Sequence, residues 1–391
     1  MSGAGWAHAA SVLCVRLDNL GDVLMCTPAM RAIAQAKPRR KVTLLASPAG
    51  AAAAAFIPEL HEALAYAAPW VKGGEADTGD DVSAGADAAP ALEMVRRLRA
   101  HAFDAAVIFT SYSQSALPAA LLCYQAGIPL RLAHCRENPY RMLSDWVPDP
   151  EPEQDIRHEV RRQLALVASI GCRPDNERLS FALHPPDLEW MRARLRRAGL
   201  NIGTGPGPAS RLWVLMHPGA SAPSRRYPAA HWARVVRTLT TVHGVQVVLT
   251  GDASETALVA AILDAACVAP PMAISLAGEL DLGRLGAVIA LAPVLVSNNT
   301  GPAHMAAALG TPLVDLYALT NPQHTPWLVE SRVLYNDVPC RFCYKSVCPQ
   351  GHHECLTGVQ PARVVEAVRG LLQGRAGKAA QTAGDRGKSG A

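Results

Sequence analysis

Aromatic side chains are scarce, 5% of the 391 residues, while half of the chain (50%) falls in the hydrophobic class. With Ala, Leu and Val abundant, this balance describes an ordinary helix-and-strand core and excludes a disulfide scaffold or a disordered polymer. Also missing is any apolar run of the roughly 18–20 residues that a membrane-crossing helix needs, because Pro, Gly or charge interrupts each one. The first residues lack a basic stretch followed by an apolar segment and a cleavage site, so no secretory signal is read. A cytoplasmic chain with reduced thiols is the expectation. Neither sign of charge dominates: 37 Lys and Arg face 33 Asp and Glu, a formal net charge of +4. That excess does not call for nucleic acid and is compatible with anionic small molecules. The basic clusters Lys37, Arg39, Arg40, Lys41 and Arg96, Arg97, Arg99 read as solvated faces.

What is present is enough chain for two cores of similar size. Residues 11–17 are β-branched and apolar, Asp18-Asn19-Leu20-Gly21 turns the chain, a helical pattern runs over 22–36, and a second strand-like run follows at 41–46. Further strands at 105–109 and 130–133, with helices at 92–100, 115–126 and 157–170, continue the alternation. Such alternation predicts a parallel sheet covered on both faces. Residues 73–90, rich in Gly, Ala and Asp without apolar periodicity, read as a surface loop. A helical stretch at 187–197 runs into Gly203-Thr204-Gly205-Pro206-Gly207-Pro208, the clearest linker signal. The expected division is a first domain over 1–200, a linker at 201–208, a second domain over 209–373 and a disordered tail at 374–391. The second half restarts with strands at 212–216, 245–249, 273–276, 293–296 and 313–316, separated by helices at 229–242, 254–266, 282–291 and 302–309, before a last helix at 362–372. Five strands in Rossmann-like order make it a second α/β domain.

Ligands of open α/β sheets bind beyond the carboxyl ends of the strands, which directs attention to the loops there. In Asp18-Asn19-Leu20-Gly21-Asp22, Asp22 sits at the first turn of a helix, where it either caps the helix or, ionised, accepts a proton from an attacking hydroxyl. The loop His217-Pro218-Gly219-Ala220-Ser221-Ala222-Pro223-Ser224-Arg225-Arg226-Tyr227-Pro228 has small residues that let a ligand approach, and Arg225 or Arg226 offers charge for a diphosphate. In Ser297-Asn298-Asn299-Thr300-Gly301-Pro302-Ala303-His304, Pro302 fits the first helical turn and Gly301 exposes N–H groups to an anion. His304, one turn in, either points back to that anion or fills the core. The Pro-rich stretch from Tyr317 to Trp327 either rims a cleft or covers the sheet edge. Downstream, Cys340-x2-Cys343-x4-Cys348-x6-Cys355 surrounds His352 and His353. Metal ligation, reduced structural thiols and a redox pair are all open readings, and because the spacing does not match a paired-CxxC ribbon no metal ligands are assigned.

Over residues 16–33, 217–232 and 297–312, and in the Cys-rich segment with its Pro349 and Gly351-His352-His353, the chain resembles glycosyltransferase family 9, the heptosyltransferase group, and within it the heptosyltransferase II-like members. The resemblance implies an α/β GT-B fold, two Rossmann-like domains facing each other across a cleft, the first for the acceptor and the second for the nucleotide sugar. It implies Asp22 as general base, Arg225 as the counterpart of a lysine that grips donor phosphate, and Thr300, Gly301 and His304 as the phosphate-binding helix start. Asn299 stands where many members have an Asp that contacts donor-sugar hydroxyls, and Glu255 matches a carboxylate that holds the ribose. The implied reaction is inverting transfer of a sugar, L-glycero-D-manno-heptose, from an ADP-linked donor to a lipid-linked lipopolysaccharide-core acceptor. No cofactor and no metal enter it, and no Asp-x-Asp motif stands in a βα loop. The implied setting is the cytoplasm at the inner face of the inner membrane, with peripheral membrane contact and no nucleic acid partner. A sugar-nucleotide epimerase on the same architecture, a family 9 transferase with another nucleotide sugar, and a non-catalytic nucleotide-sugar- or metal-binding protein are the competing readings.

Overall fold

The structure, a computed structural model, describes residues 3–71, 88–200, 202 and 212–388. The loop expected at 73–90 and the linker at 201–208 lie, apart from residues 88–90 and 202, outside the described residues. The chain divides into two units, Met1–Ser180 and Phe181–Ala391.

The first unit holds one parallel sheet of β1 (Ser11–Arg16), β2 (Lys41–Ala46), β3 (Glu62–Ala65), β4 (Ala105–Ile108), β5 (Leu130–Cys135) and β6 (Asp145–Pro148), in the order β3-β2-β1-β4-β5-β6. All of β4 and all but the first residue of β1 are buried, as strands covered on both faces require. Because the chain leaves β1 toward one edge and β4 toward the other, the carboxyl ends of these two strands frame a topological switch point. The helix Leu20–Gln35 follows β1 at once and carries Pro28 inside it. Pro28 has no N–H for the Leu24 carbonyl, and the Thr27 hydroxyl donates to that oxygen instead at 2.7 Å. On the far side of the sheet's end, Arg162 of the helix Glu159–Ala168 is 1% exposed, grips both oxygens of Asp149 at 2.7 and 2.9 Å, and donates to the Thr110 carbonyl.

The second unit repeats the plan with β7 (Trp213–His217), β8 (Gln246–Leu249), β9 (Ala273–Ser275), β10 (Leu295–Asn298), β11 (Leu313–Leu316) and β12 (Ser331–Leu334), ordered β12-β11-β10-β7-β8-β9 and parallel throughout. Here the switch point lies between β7 and β10. Trp232, Val236, Val247, Leu249, Val364 and Leu371 build the core on one face.

The division falls at residue 180 and not within 201–208, because the helix Pro185–Arg197 packs with the second unit. The Arg284 guanidinium lies 4.2 Å from the centre of the Trp190 ring, and Arg194 pairs with Glu279 at 2.9 Å. A Cβ on Gly286 would fall 2.5 Å from the Phe181 ring, so the start of this segment is also fitted to the second sheet's helices. The strands β3, β6 and β12, absent from the sequence expectation, are four-residue edge strands whose mixed burial carries no clear apolar alternation. The final helix spans Pro361–Lys388, past the end expected near residue 372 and through most of the tail expected to be disordered. Its Ala, Lys, Arg and Gln are strong helix formers, and they outweigh the glycines that suggested a loose tail.

Replacing Arg162 by Met should lower the free energy of urea unfolding by about 3–5 kcal/mol, since it strips a buried carboxylate cluster of its main cation. The adjacent Arg161→Met, which removes a pair from a side chain that is 56% exposed, should change it by less than about 1 kcal/mol.

Candidate functional site

In the second unit the switch point is built by three loops. His217 ends β7, with Nδ1 3.1 Å from the Thr250 hydroxyl and Nε2 3.7 Å from Glu255 Oε2. Burial lowers the His217 pKa to about 4, and burial likewise raises the Glu255 carboxyl above its ordinary value. The contact between them is therefore not an ion pair near neutral pH. Glu255 is held from the other side: its Oε2 accepts the Asp252 N–H at 3.0 Å, while Asp252 Oδ1 accepts the N–H groups of Ser254 and Glu255 at 2.7 and 3.1 Å. This reciprocal capping box fixes the carboxylate where it meets the loop after β7. Gly219 in that loop is needed for space, because a Cβ there would lie 1.8 Å from Glu255 Oε1.

Asn298, the last residue of β10, ties the two central loops together. Its Nδ2 donates to the carbonyls of Pro218 and Gly219 at 2.7 and 3.2 Å, and its Oδ1 accepts the Tyr227 N–H at 3.1 Å. The helix Gly301–Leu309 then starts with Pro302 in its first turn, and the Thr300 hydroxyl donates to the Asn298 carbonyl instead of capping the helix. The helix start is thereby left without a side-chain acceptor, as an anion site requires. A cavity of about 300 Å³ opens here, lined by Gly219, Ser221, Asp252, Glu255, Thr300 and Gly301 among others.

The structure thus brings Glu255, Thr300 and Gly301 together, but Arg225, Asn299 and His304 do not line that cavity. Arg225 ends a short 3-10 turn, Pro223–Arg225, whose Ser224 donates from N and Oγ to the carbonyls of Ser346 and Lys345 at 2.9 and 2.8 Å. Its positive charge acts on Asp315 of β11, a fully buried carboxyl pushed far up by desolvation, with neither oxygen hydrogen-bonded among the described residues. Asn299 is buried beside β11, its N–H bound to the Leu316 carbonyl at 3.3 Å and its Oδ1 without a partner among the described residues. His304 is buried one turn into the helix.

The cysteine-rich segment braces the same neighbourhood. Phe342 and Tyr344 donate backbone N–H groups to the carbonyls of Leu319 and Thr320 at 2.7 and 2.8 Å, and Cys340 Sγ lies 3.8 Å from His352 Nε2. Among the described residues, no group of three or more His, Cys, Asp or Glu is placed to hold a metal ion.

In the first unit, Asp22 stands in the first turn of the helix Leu20–Gln35, as expected, and belongs to a cluster that the sequence reading did not assemble. Arg16, the last residue of β1 and 1% exposed, lies 2.8 Å from Asp18, 3.2 Å from Asp22 and 2.6 Å from Glu159, which is itself fully buried. Gln114 donates to Asp18 at 2.6 Å and Gln163 donates to Glu159 at 2.8 Å. Burial raises the Asp18 carboxyl, the Arg16 charge pulls it back, and the charge of Asp22 raises it again. An arginine closing an otherwise apolar strand was the visible signal, because a buried guanidinium demands carboxylates.

The family model described as Glycosyltransferase family 9 (heptosyltransferase) matches residues 91–353. The chain is 30% identical over 281 residues to lipopolysaccharide heptosyltransferase 2 of Escherichia coli, covering 70% of this chain and 77% of the relative. Identity to lipooligosaccharide heptosyltransferase 2 of Haemophilus ducreyi is 26% over 376 residues, 92% of this chain and 99% of that one. Among solved structures, a family 9 glycosyltransferase from Veillonella parvula superposes with a TM-score of 0.74 at 18% identity, covering 93% of this chain and 97% of that one. The E. coli ADP-heptose lipopolysaccharide heptosyltransferase II gives 0.68 at 23% identity, covering 93% and 99%. These likenesses establish the fold. No helix among the described residues is long and apolar enough to cross a membrane.

The lowered His217 pKa has a thermodynamic consequence. Between its ordinary value near 6.5 and about 4, the unfolded chain binds a proton at His217 that the folded chain refuses, so stability falls as pH drops through that window. Thermal melts should show a lower Tm at pH 5 than at pH 7, and His217→Asn should flatten that dependence.

Proposed function

The chain belongs to glycosyltransferase family 9, and from that premise we propose that it transfers L-glycero-D-manno-heptose with inversion from an ADP-linked donor to a lipid-linked lipopolysaccharide-core acceptor. It is a glycosyltransferase of the heptosyltransferase type, which sets the epimerase and non-catalytic readings aside. The observation that carries the donor reading is the cavity beyond β7 and β10, where a fixed carboxylate and an uncapped helix start stand on the same wall. In this reading Glu255 accepts hydrogen bonds from the ribose hydroxyls, and the Thr300–Gly301 backbone with the helix dipole receives the diphosphate. Arg225, Asn299 and His304 stand outside the lining of this cavity, so in this reading the bound donor reaches beyond it, where Arg225 adds charge and His304 hydrogen bonds to the departing diphosphate and Asn299 binds hydroxyls of the donor sugar.

Asp22 acts as the general base. It takes the proton from the acceptor hydroxyl as that oxygen bonds to the anomeric carbon, the bond from that carbon to the phosphate oxygen breaks, and ADP leaves with its electron pair. Arg16 positions the Asp22 carboxylate and is in turn anchored by Glu159. No cofactor takes part. The enzyme works in the cytoplasm, meeting its lipid-linked acceptor by peripheral contact at the inner face of the inner membrane.

The test is a panel of nucleotide sugars assayed for nucleotide release with and without lipopolysaccharide-core acceptor. ADP release from ADP-heptose only when acceptor is present is the expected result; response to another nucleotide sugar alone would replace the donor. Asp22→Ala should lower kcat by about 10²-fold or more while ADP binding persists. Arg225→Ala should weaken ADP-heptose binding, and full turnover by Asp22→Ala would remove the proposed mechanism.

A further inference from the structure

A second cavity of about 300 Å³ lies in the first unit at the switch point between β1 and β4, and the donor chemistry above makes no use of it. Its apolar wall includes Trp70, Val71, Phe109 and Pro118. Trp70 is 38% exposed and stacks its edge against Tyr66 with ring centres 5.8 Å apart. The remaining lining is polar and includes Asp18, Thr110, Ser113 and Gln114.

Two of these residues keep hydrogen-bonding capacity that the described residues do not use up. The Thr110 hydroxyl has no hydrogen-bond partner among the described residues although Thr110 is only 9% exposed, and an orphaned buried hydroxyl is costly unless something else satisfies it. Asp18 already receives Arg16 on Oδ2 and Gln114 on Oδ1, so its carboxylate is held rigid, yet its side chain keeps 17% exposure. Each of its oxygens has lone pairs to spare for further donors. Apolar faces beside fixed acceptors match a sugar ring, which presents C–H groups on its faces and hydroxyls at its rim. The volume stands at the small end of ligand cavities, roughly 300–1,000 Å³, and holds one sugar residue, while Asp18, Trp70, Val71, Ser113 and Gln114 also line a further cavity of about 830 Å³ with room for the rest of a larger glycan.

We propose that this cavity reads one sugar residue of the acceptor, Asp18 and Thr110 hydrogen-bonding its hydroxyls, so that Asp18 sets acceptor specificity while Asp22 performs the proton transfer. The inference rests on the reading of the first unit as the acceptor side. It separates two carboxylates that share one guanidinium: Asp22 belongs to chemistry and Asp18 to recognition.

The experiment measures kcat and both KM values for wild type, Asp18→Asn and Thr110→Val, with ADP-heptose as donor and delipidated lipopolysaccharide-core oligosaccharide as acceptor. Asp18→Asn should raise the acceptor KM about 10-fold or more, as expected for losing a hydrogen bond to a charged group, and leave the donor KM unchanged. Thr110→Val should raise the acceptor KM severalfold while raising Tm, because the methyl group needs no partner; a merely structural role for the hydroxyl would give the opposite sign in Tm. Calorimetric titration of the oligosaccharide into each protein reads the same cavity without turnover. Equal oligosaccharide affinity in wild type and both variants, or a change confined to the donor KM, overturns the inference. Oligosaccharide binding that depends on Asp18 while no nucleotide sugar is turned over sinks the transferase reading and leaves the cavity assignment standing.

Discussion

A guanidinium taken out of water must be met by carboxylates, and this requirement organises the first unit. Arg16 ends the central strand β1 with its charge buried, and the chain answers with Asp18 from the next turn, Asp22 from the following helix and Glu159 from a helix far along the sequence. Three carboxylates around one arginine leave an excess of negative charge at the end of the sheet. Removing any one would still leave the cation paired, but removing the cation would take from the buried Glu159 its ion-pair partner at 2.6 Å. The strand's end, the loop after it and the start of the helix are thereby locked into one geometry.

The second unit meets a different requirement with neutral groups. Its central loops are joined through the Asn298 amide, its carboxylate is held by a capping box, and its buried histidine stays uncharged. The lining carries the carboxylates Asp252, Glu255 and Asp281, and the feature beside them that favours an anion is the start of the helix at Gly301, which has no side-chain cap. The two units share a topology and reach their sites by unlike electrostatics, which is what separate tasks would ask of them.

Much of the fold was legible in the sequence. Continuous apolar runs such as those of β1, β2 and β10 gave the central strands, and Asp22 and Pro302 marked helix starts correctly. Edge strands escaped because Glu62–Ala65 and Ser331–Leu334 are half exposed and too short to show a period. The unit division was misplaced because a Gly-Pro-rich stretch signals a loop but not which core its neighbours join; that depends on Trp190, Arg194 and Phe181 finding partners far along the chain. At the sites, motif residues were visible singly, whereas the Arg16 cluster was not, since its members are spread from 16 to 159 and only folding joins them. Asp252-x-x-Glu255 could have been read directly as a capping box, and with it the reason Glu255 is held still.

The pinning of Ser224 to the carbonyls of Lys345 and Ser346 has a bearing on how the molecule is made. Partners 121 residues apart close this clasp, so it cannot form until the cysteine-rich stretch has left the ribosome, whereas the Asn298 bond to Tyr227 needs none of that stretch. A nascent chain stopped short of that stretch carries all six strands of the second sheet but neither this clasp nor the last helix, whose Val364 and Leu371 complete the core on one face.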